Sequence, residues 1–256
     1  SKKFGAEILR LWVSAEDYRE DVRISDEILN RLVEAYRRVR NTARFLISNL
    51  YDFDPAKDRV QRAELDELDR WILQRTENLL GRCREAYDKC EFHVVYHSLN
   101  NFCSVDLSSQ YLDIVKDRLY CEGAKSTLRR AAQTTLCRIL EVLVHLTAPI
   151  LSFTAEEIWQ YLPDQAARPN SVFLSQIPVP DTSFADAQLA EKWDRILRER
   201  SEVLKALEQA RAAGVIGHSL DAKVVLHSPN GSQQSPLLAM MGSDARRLED
   251  VLIVSQ

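Results

Sequence analysis

The chain has 256 residues, 45% hydrophobic and 28% charged, with a formal net charge of −4. That is enough chain for a large helical domain and a smaller one. The acidic balance excludes a protein coated broadly in basic surface, though a local basic face can still bind RNA. No apolar run approaches the roughly 20 residues of a membrane span, and the opening Ser-Lys-Lys-Phe-Gly lacks a secretory signal's apolar core. Seven glycines and eight prolines leave room for long regular elements but not for glycine-built phosphate loops.

In chain order, Phe4 to Val13 is a short apolar segment followed by a polar stretch to Arg23. Ser25 is placed to cap a helix whose first turn carries Asp26 and Glu27. Ile28, Leu32, Tyr36, Val39, Ala43, Leu46 and Leu50 then recur at three- and four-residue spacing, which predicts a long amphipathic helix ended by Asp54-Pro55. A second helix is expected over about Glu64 to Tyr87 and a third over about Phe92 to Val105. Asp106 reads as the cap of a fourth, Leu107 to Tyr120. Ser126 opens a fifth that Pro149 stops.

Thr154-Ala-Glu-Glu157 reads as a capping box, with Phe153 and Ile158 as its hydrophobic staple. Pro163, Pro169, Pro178 and Pro180 then punctuate a loop, and a domain boundary is placed there. Phe184 to Ala213 is a charged helix closed by Gly214. Ala222 to His227 and Val251 to Ser255 read as strands, and Pro236 to Met241 and Asp244 to Leu248 as short helical pieces. The expected fold is mainly α: residues 1–25 as a linker, 26–165 as a helical bundle, and 166–256 as a loop with a partial α/β module.

Enzyme signatures are missing: no Gly-x-Gly-x-x-Gly, Walker loop, Gly-x-Ser-x-Gly or His-Glu-x-x-His occurs. His93 and His97 lie one helical turn apart without an evident third ligand, so no metal is expected. Glu156 and Glu157 point about 100° apart on a helix, which argues against paired-carboxylate chemistry. Cys83, Cys90, Cys103, Cys121 and Cys137 have no Cys-x-x-Cys spacing and read as reduced, buried thiols.

The basic residues carry more information. Arg37, Arg40 and Arg44 share one face of the first long helix, open to reading either as a solvated face or as an RNA contact. On the fifth helix Arg130 lies opposite the apolar stripe, while Arg129 and Arg138 flank it. His97 and Asn101 point away from the core of the third helix. Lys116 lies off the stripe of the fourth, free to meet a partner. Arg118 falls within that stripe and needs an acidic partner as a bundle strut. Cations that hold phosphates, beside Asn and His that read base edges, are what a loop of unstacked RNA bases requires.

Several long blocks resemble isoleucyl-tRNA synthetases. They are Phe4-Gly-Ala-Glu-Ile-Leu-Arg-Leu-Trp12, Asp17-Tyr-Arg-Glu-Asp-Val-Arg-Ile-Ser-Asp-Glu-Ile28 and Arg37-Arg-Val-Arg-Asn-Thr-Ala-Arg44. Asp106-Leu-Ser-Ser-Gln-Tyr-Leu-Asp-Ile-Val-Lys-Asp-Arg-Leu-Tyr120 and Ala148-Pro-Ile-Leu-Ser-Phe-Thr-Ala-Glu-Glu-Ile-Trp159 extend the match. Glu208-Gln-Ala-Arg211 with Ile216-Gly-His-Ser-Leu-Asp-Ala222 is similar to the junction region of that family.

The resemblance implies an internal fragment holding a class Ia anticodon-binding helical bundle, not catalytic by itself. The HIGH and KMSKS elements, the editing domain and a zinc-binding piece would lie elsewhere in the parent. ATP, magnesium and zinc are implied for that parent, and no cofactor for this stretch. By this analogy Asp17, Tyr18 and Arg23 lie near tRNA or the catalytic domain. Lys116 becomes the leading anticodon contact, and Arg129 and Arg130 fit a pair of basic residues opening the next helix. Implied partners are the tRNA(Ile) anticodon stem-loop and the parent's own catalytic domain, in a cytoplasmic monomer with no membrane. A valyl-tRNA synthetase domain and a helical protein-docking adaptor remain the alternatives.

Overall fold

The computed structural model describes residues 3–163, 168–226, 237 and 245–253. Helices dominate: α1 (Ala6–Ala15), α2 (Asp26–Ser48), α3 (Glu67–Asp88), α4 (Phe92–Asn101), α5 (Leu112–Cys121), α6 (Thr127–Thr147), α7 (Ser152–Gln160), α8 (Ala187–Ala212) and α9 (Ala245–Leu252). Among the described residues there is no strand.

The bundle is organised around α6, whose Leu136, Ile139, Leu140, Val144 and Leu146 are fully buried. Each such aliphatic side chain contributes about 2 kcal/mol by leaving water. Neighbours register against α6 through polar pairs. Arg138 forks onto Glu77 of α3 and the Tyr87 hydroxyl donates to the Leu146 carbonyl, so α3 and α6 run the same way. Gln133 donates to the carbonyl of Asn49 at one end of α2. Tyr36, further back along α2, lies 3.0 Å from Thr154 of α7, so α2 runs opposite to α6. Two ends follow: one holds α1 and α7, and the other the α2–α3 and α5–α6 connections.

The amphipathic pattern of α2 stands as read, with Ser25 Oγ accepting from the Ile28 amide and Leu32, Ala43 and Leu46 buried. Gly214, at φ +71°, closes α8 in the left-handed region that favours glycine. Trp193 of α8 packs on Trp71 of α3 with ring centroids 6.3 Å apart, so one core continues from α3 into α8.

Four expectations change. Asp106 caps nothing: Phe102–Tyr111 is a π-helical segment that joins α4 to α5 in one unbroken rod. There Ser108 and Ser109 donate to carbonyls five residues back, at 2.7 and 2.8 Å. Asp106 is buried within it against Arg75, and this tertiary ion pair uses the carboxylate that a cap would need.

The Thr154 capping box is also absent, because α7 begins three residues earlier, with Leu151 at the cap position. Its free amides, Phe153 and Thr154, donate instead to Glu7 Oε1 of α1, while the Thr154 hydroxyl donates to Glu7 Oε2. Glu157 is taken by Arg40, and Phe153, 74% exposed, staples nothing. A carboxylate from another helix thus satisfies the N-terminal donors and the helix dipole of α7. Arg10 completes the clamp by donating to the Pro149 and Ile150 carbonyls at the α6–α7 corner.

The two expected C-terminal strands are not seen among the described residues: 222–226 carry neither helix nor strand, and Val251 and Leu252 are buried in α9, which overlaps the helical piece expected over Asp244 to Leu248. Short apolar runs do not separate strand from buried helix by periodicity alone. His227 and most of Pro236 to Met241 lie outside the described residues, as do residues 254–256 of the second expected strand. Finally, Cys83, Cys103 and Cys137 are buried, but Cys90 and Cys121 sit exposed where α3 and α5 end.

Candidate nucleic-acid interface

The sequence-predicted residues fall on separate faces. His97 and Asn101 are exposed on α4 and meet Arg75, Asn78 and Arg82 of α3 across a groove of about 370 Å³. Its floor is the Arg75–Asp106 pair, at 2.9 Å. Burial pushes the Asp106 carboxyl up, against the pull of Arg75. Burial and nearby His93 lower the His97 pKa, which keeps the ring neutral at pH 7 with one donor and one acceptor nitrogen. Arg82 is exposed and makes no ion pair among the described residues.

A second groove, about 320 Å³, is lined by Arg40 and Arg44 of α2 with Glu157, Ile158 and Tyr161 of the α7 end. Arg40 is committed to Glu157 by two bonds of 2.8 and 2.9 Å. Arg44 is exposed without an ion pair among the described residues, and Arg37 is exposed beside Glu34. Arg23 is exposed in the segment before α2, where its carbonyl accepts from the Trp12 indole.

Three cations depart from expectation. Arg129 is buried, forking onto Asp52 at 2.7 and 2.9 Å and donating to the Leu119 and Ala124 carbonyls. Arg130 donates to the Asp52 carbonyl and Gln133 and lies 3.6 Å from Asp58. Both tie the loop after α2 to the start of α6 and present no free donor fork to a phosphate; their partners come from a loop that no helical wheel of α6 includes. Lys116 is 38% exposed and lies 3.3 Å from Asp113, whose other oxygen holds Arg200 of α8. Its partner is therefore an acid of its own helix, one turn back, which α8 shares through Arg200.

Arg118 behaves as the wheel requires. It is nearly buried, 3.5 Å from Asp66 and 3.7 Å from Asp69. Asp69 also accepts from the Tyr111 hydroxyl at 2.6 Å. Burial raises Asp69 to about 6 even though Arg118 pulls it down. A carboxyl whose pKa is higher folded than unfolded stabilises the fold below about pH 4, and that stability is lost as pH rises through 6. An Asp69→Asn chain lacks this loss. Its stability relative to the parent should therefore improve between pH 4.5 and 7 in urea unfolding; a constant difference would contradict the assignment.

The α3 contribution to the first groove has a signal in the sequence. Arg75, Asn78 and Arg82 recur at i, i+3 and i+7 on the polar side of the second predicted helix. Tyr51 and Tyr120, strongly exposed at the α2–α3 and α5–α6 end, carried no signal beyond residue type.

Comparison with known proteins places this arrangement. Residues 69–226 match the anticodon-binding domain of tRNA ligases, a stretch that runs from the first turn of α3 through α8 and includes both walls of the α3–α4 groove. The chain belongs to the anticodon-binding domain family of tRNA ligases. This anticodon-binding domain is 53% identical, over its whole length, to the isoleucine–tRNA ligase of Syntrophotalea carbinolica. It is 51% identical over 98% of its length to that of Moorella thermoacetica, and 49% identical over its whole length to that of Geobacter sulfurreducens. It spans 27% of the length of each of these relatives. They favour the isoleucyl reading over the valyl one. Among the described residues no helix is long and apolar enough to cross a membrane, and no three His, Cys, Asp or Glu side chains group as metal ligands.

Proposed function

We propose that the chain is the anticodon stem-loop recognition module of an isoleucine–tRNA ligase, with the α3–α4 groove as its RNA-reading surface. The observation that carries the reading is the convergence of His97, Asn101, Asn78, Arg75 and Arg82 in that groove. Neutral imidazole and two carboxamides offer paired donors and acceptors to base edges, while the Arg82 guanidinium offers a phosphate contact and Arg75 braces the floor through Asp106. Arg37, Arg44 and Arg23 add exposed positive charge elsewhere on the surface.

The parent enzyme would charge tRNA(Ile) with isoleucine using ATP, in the cytoplasm and as a monomer. ATP, magnesium and zinc would be held by other parts of that chain. Binding energy gathered here, far from the reacting atoms, would serve the chemical step by presenting the acceptor end. Residues 1–25 would form the linker to the catalytic part, 26–165 the recognition bundle and 166–256 the junction.

The test is titration of the chain with isoleucine and valine tRNA transcripts at two salt concentrations. Binding should favour the isoleucine tRNA and weaken with salt. His97→Ala combined with Asn101→Ala should cost about tenfold in affinity. Arg82→Ala should reduce the slope of log K against log salt by about 1. Equal affinity for the two tRNAs would defeat the anticodon reading.

A further inference from the structure

The π-helical stretch between α4 and α5 redirects one side chain into the α3–α4 groove. Asn101 lines that groove at the end of α4, and Asp106 lines it five residues later. At about 100° per residue, a regular α-helix would carry Asp106 roughly 140° round the axis from Asn101. The wider π turn, with Ser108 and Ser109 donating to carbonyls five residues back, returns the two to one side. A helix form that is rare, and frequent at functional sites, thus sets an acid among the carboxamides and guanidinium groups of the groove.

Phosphate binding does not account for that acid. Asp106 Oδ1 accepts from Nε and Nη2 of Arg75, at 3.1 and 2.9 Å, while Oδ2 accepts no hydrogen bond among the described residues. Asp194, exposed on α8, adds negative charge close by. An RNA backbone brought to this floor would set phosphate against carboxylate, whereas the exposed Arg82 offers it a cation.

An open carboxylate oxygen suits a partner that presents N–H donors with no acceptor between them. Adenine and cytosine set a bare ring nitrogen beside the amino group, and uracil flanks its one N–H with two carbonyls. Of the four bases only guanine carries two adjacent donors, N1–H and the N2 amino group, and one carboxylate oxygen can accept from both. Bonds to an ionised acceptor are about twice as strong as neutral ones. The carboxamides of the groove supply donors for the O6 beside them. We infer that Asp106 is the specificity-determining residue of the groove, with Oδ2 accepting from the Watson–Crick edge of an unpaired guanine. This rests on the reading of the groove as an RNA surface and names the base that it admits.

The experiment is a titration of the chain with isoleucine tRNA, and with the same tRNA carrying inosine for each unpaired guanosine of its anticodon loop. Inosine keeps N1–H and O6 but lacks the amino group. The parent chain should bind the inosine tRNA about tenfold more weakly. In Asp106→Asn, Arg75 holds the carboxamide oxygen and the NH2 group turns toward the base. That variant should therefore bind the two tRNAs within about twofold of each other. A ratio of affinities does not change when part of the protein is unfolded, so it reports on the site even in a less stable chain. Asn101→Ala, which leaves the acid in place, should weaken both tRNAs and keep the parent ratio. Equal binding of the two tRNAs by the parent would overturn the assignment while leaving the module reading intact. So would a parent-like ratio kept by Asp106→Asn. A parent chain that binds neither tRNA would overturn the module reading and the assignment with it.

Discussion

Replacing Arg200 with methionine should destabilise the protein by about 3 kcal/mol and lower Tm by roughly 10 °C. Arg200, 3% exposed on α8, joins α8 to both α9 and the π-helical segment through hydrogen bonds. Its Nε donates to the Val251 carbonyl in the last turn of α9 at 2.6 Å. One terminal nitrogen donates to the Ser109 carbonyl at 3.1 Å, and the other meets Asp113 at 2.6 Å. Methionine fills similar space but leaves two carbonyls without these donors and a carboxylate without its charge partner. The carbonyls dominate the loss, since Asp113 is part-exposed and water screens it. Loss of the Val251 bond should also loosen α9, so cleavage by a protease in the segment after α8 should precede global unfolding. A Tm within about 2 °C of the parent would refute this role.

The second large effect is expected at Arg129. Methionine there should cost about 4 kcal/mol, and lysine nearly as much, because an ammonium group cannot reproduce a planar fork onto Asp52. Hydrogen bonding to Arg129 holds the Asp52 pKa at about 2. A carboxylate with a depressed folded pKa stabilises the fold above its unfolded value near 4, and that stability is lost as pH falls toward 2. The gap in unfolding free energy between parent and Arg129→Met should therefore close on acidification from pH 5 to 2. Because Arg129 already gives its donors to Asp52 and to the Leu119 and Ala124 carbonyls, the salt slope of RNA binding, measured well below Tm, should stay at the parent value. A shallower slope would return Arg129 to the RNA interface.

These two residues also mark where sequence reading reaches its limit. The apolar period of α2, α3, α6 and α8 made the bundle legible, as did local chemistry at Ser25 and Gly214, because each signal lies within one element. His97 and Asn101 faced outward for the same reason. Arg118 could be foreseen as a strut because a cation inside an apolar stripe must find an acid. Arg129, Arg130 and Arg200 could not be placed, since their partners lie dozens of residues away in a loop, a π-helical turn and a helix end. The same competition misled the reading of helix starts. Asp106 and Thr154 have the residue types of caps, but Arg75 and Glu7 engage them from other helices. Once a long-range partner takes the group, local propensity no longer decides where a helix begins.

Consider what the Glu7 and Arg10 clamp does mechanically. One side chain of α1 grips the positive end of α7, and another, one turn on, grips the carbonyls at the α6–α7 corner. Fastened at two points, α1 and the bundle would turn together as one body. Over a lever about 30 Å long, a rotation of 5° displaces the far tip by roughly 2–3 Å, on the order of one hydrogen-bond length. Motion at one end thus becomes registration at the other without any helix having to bend.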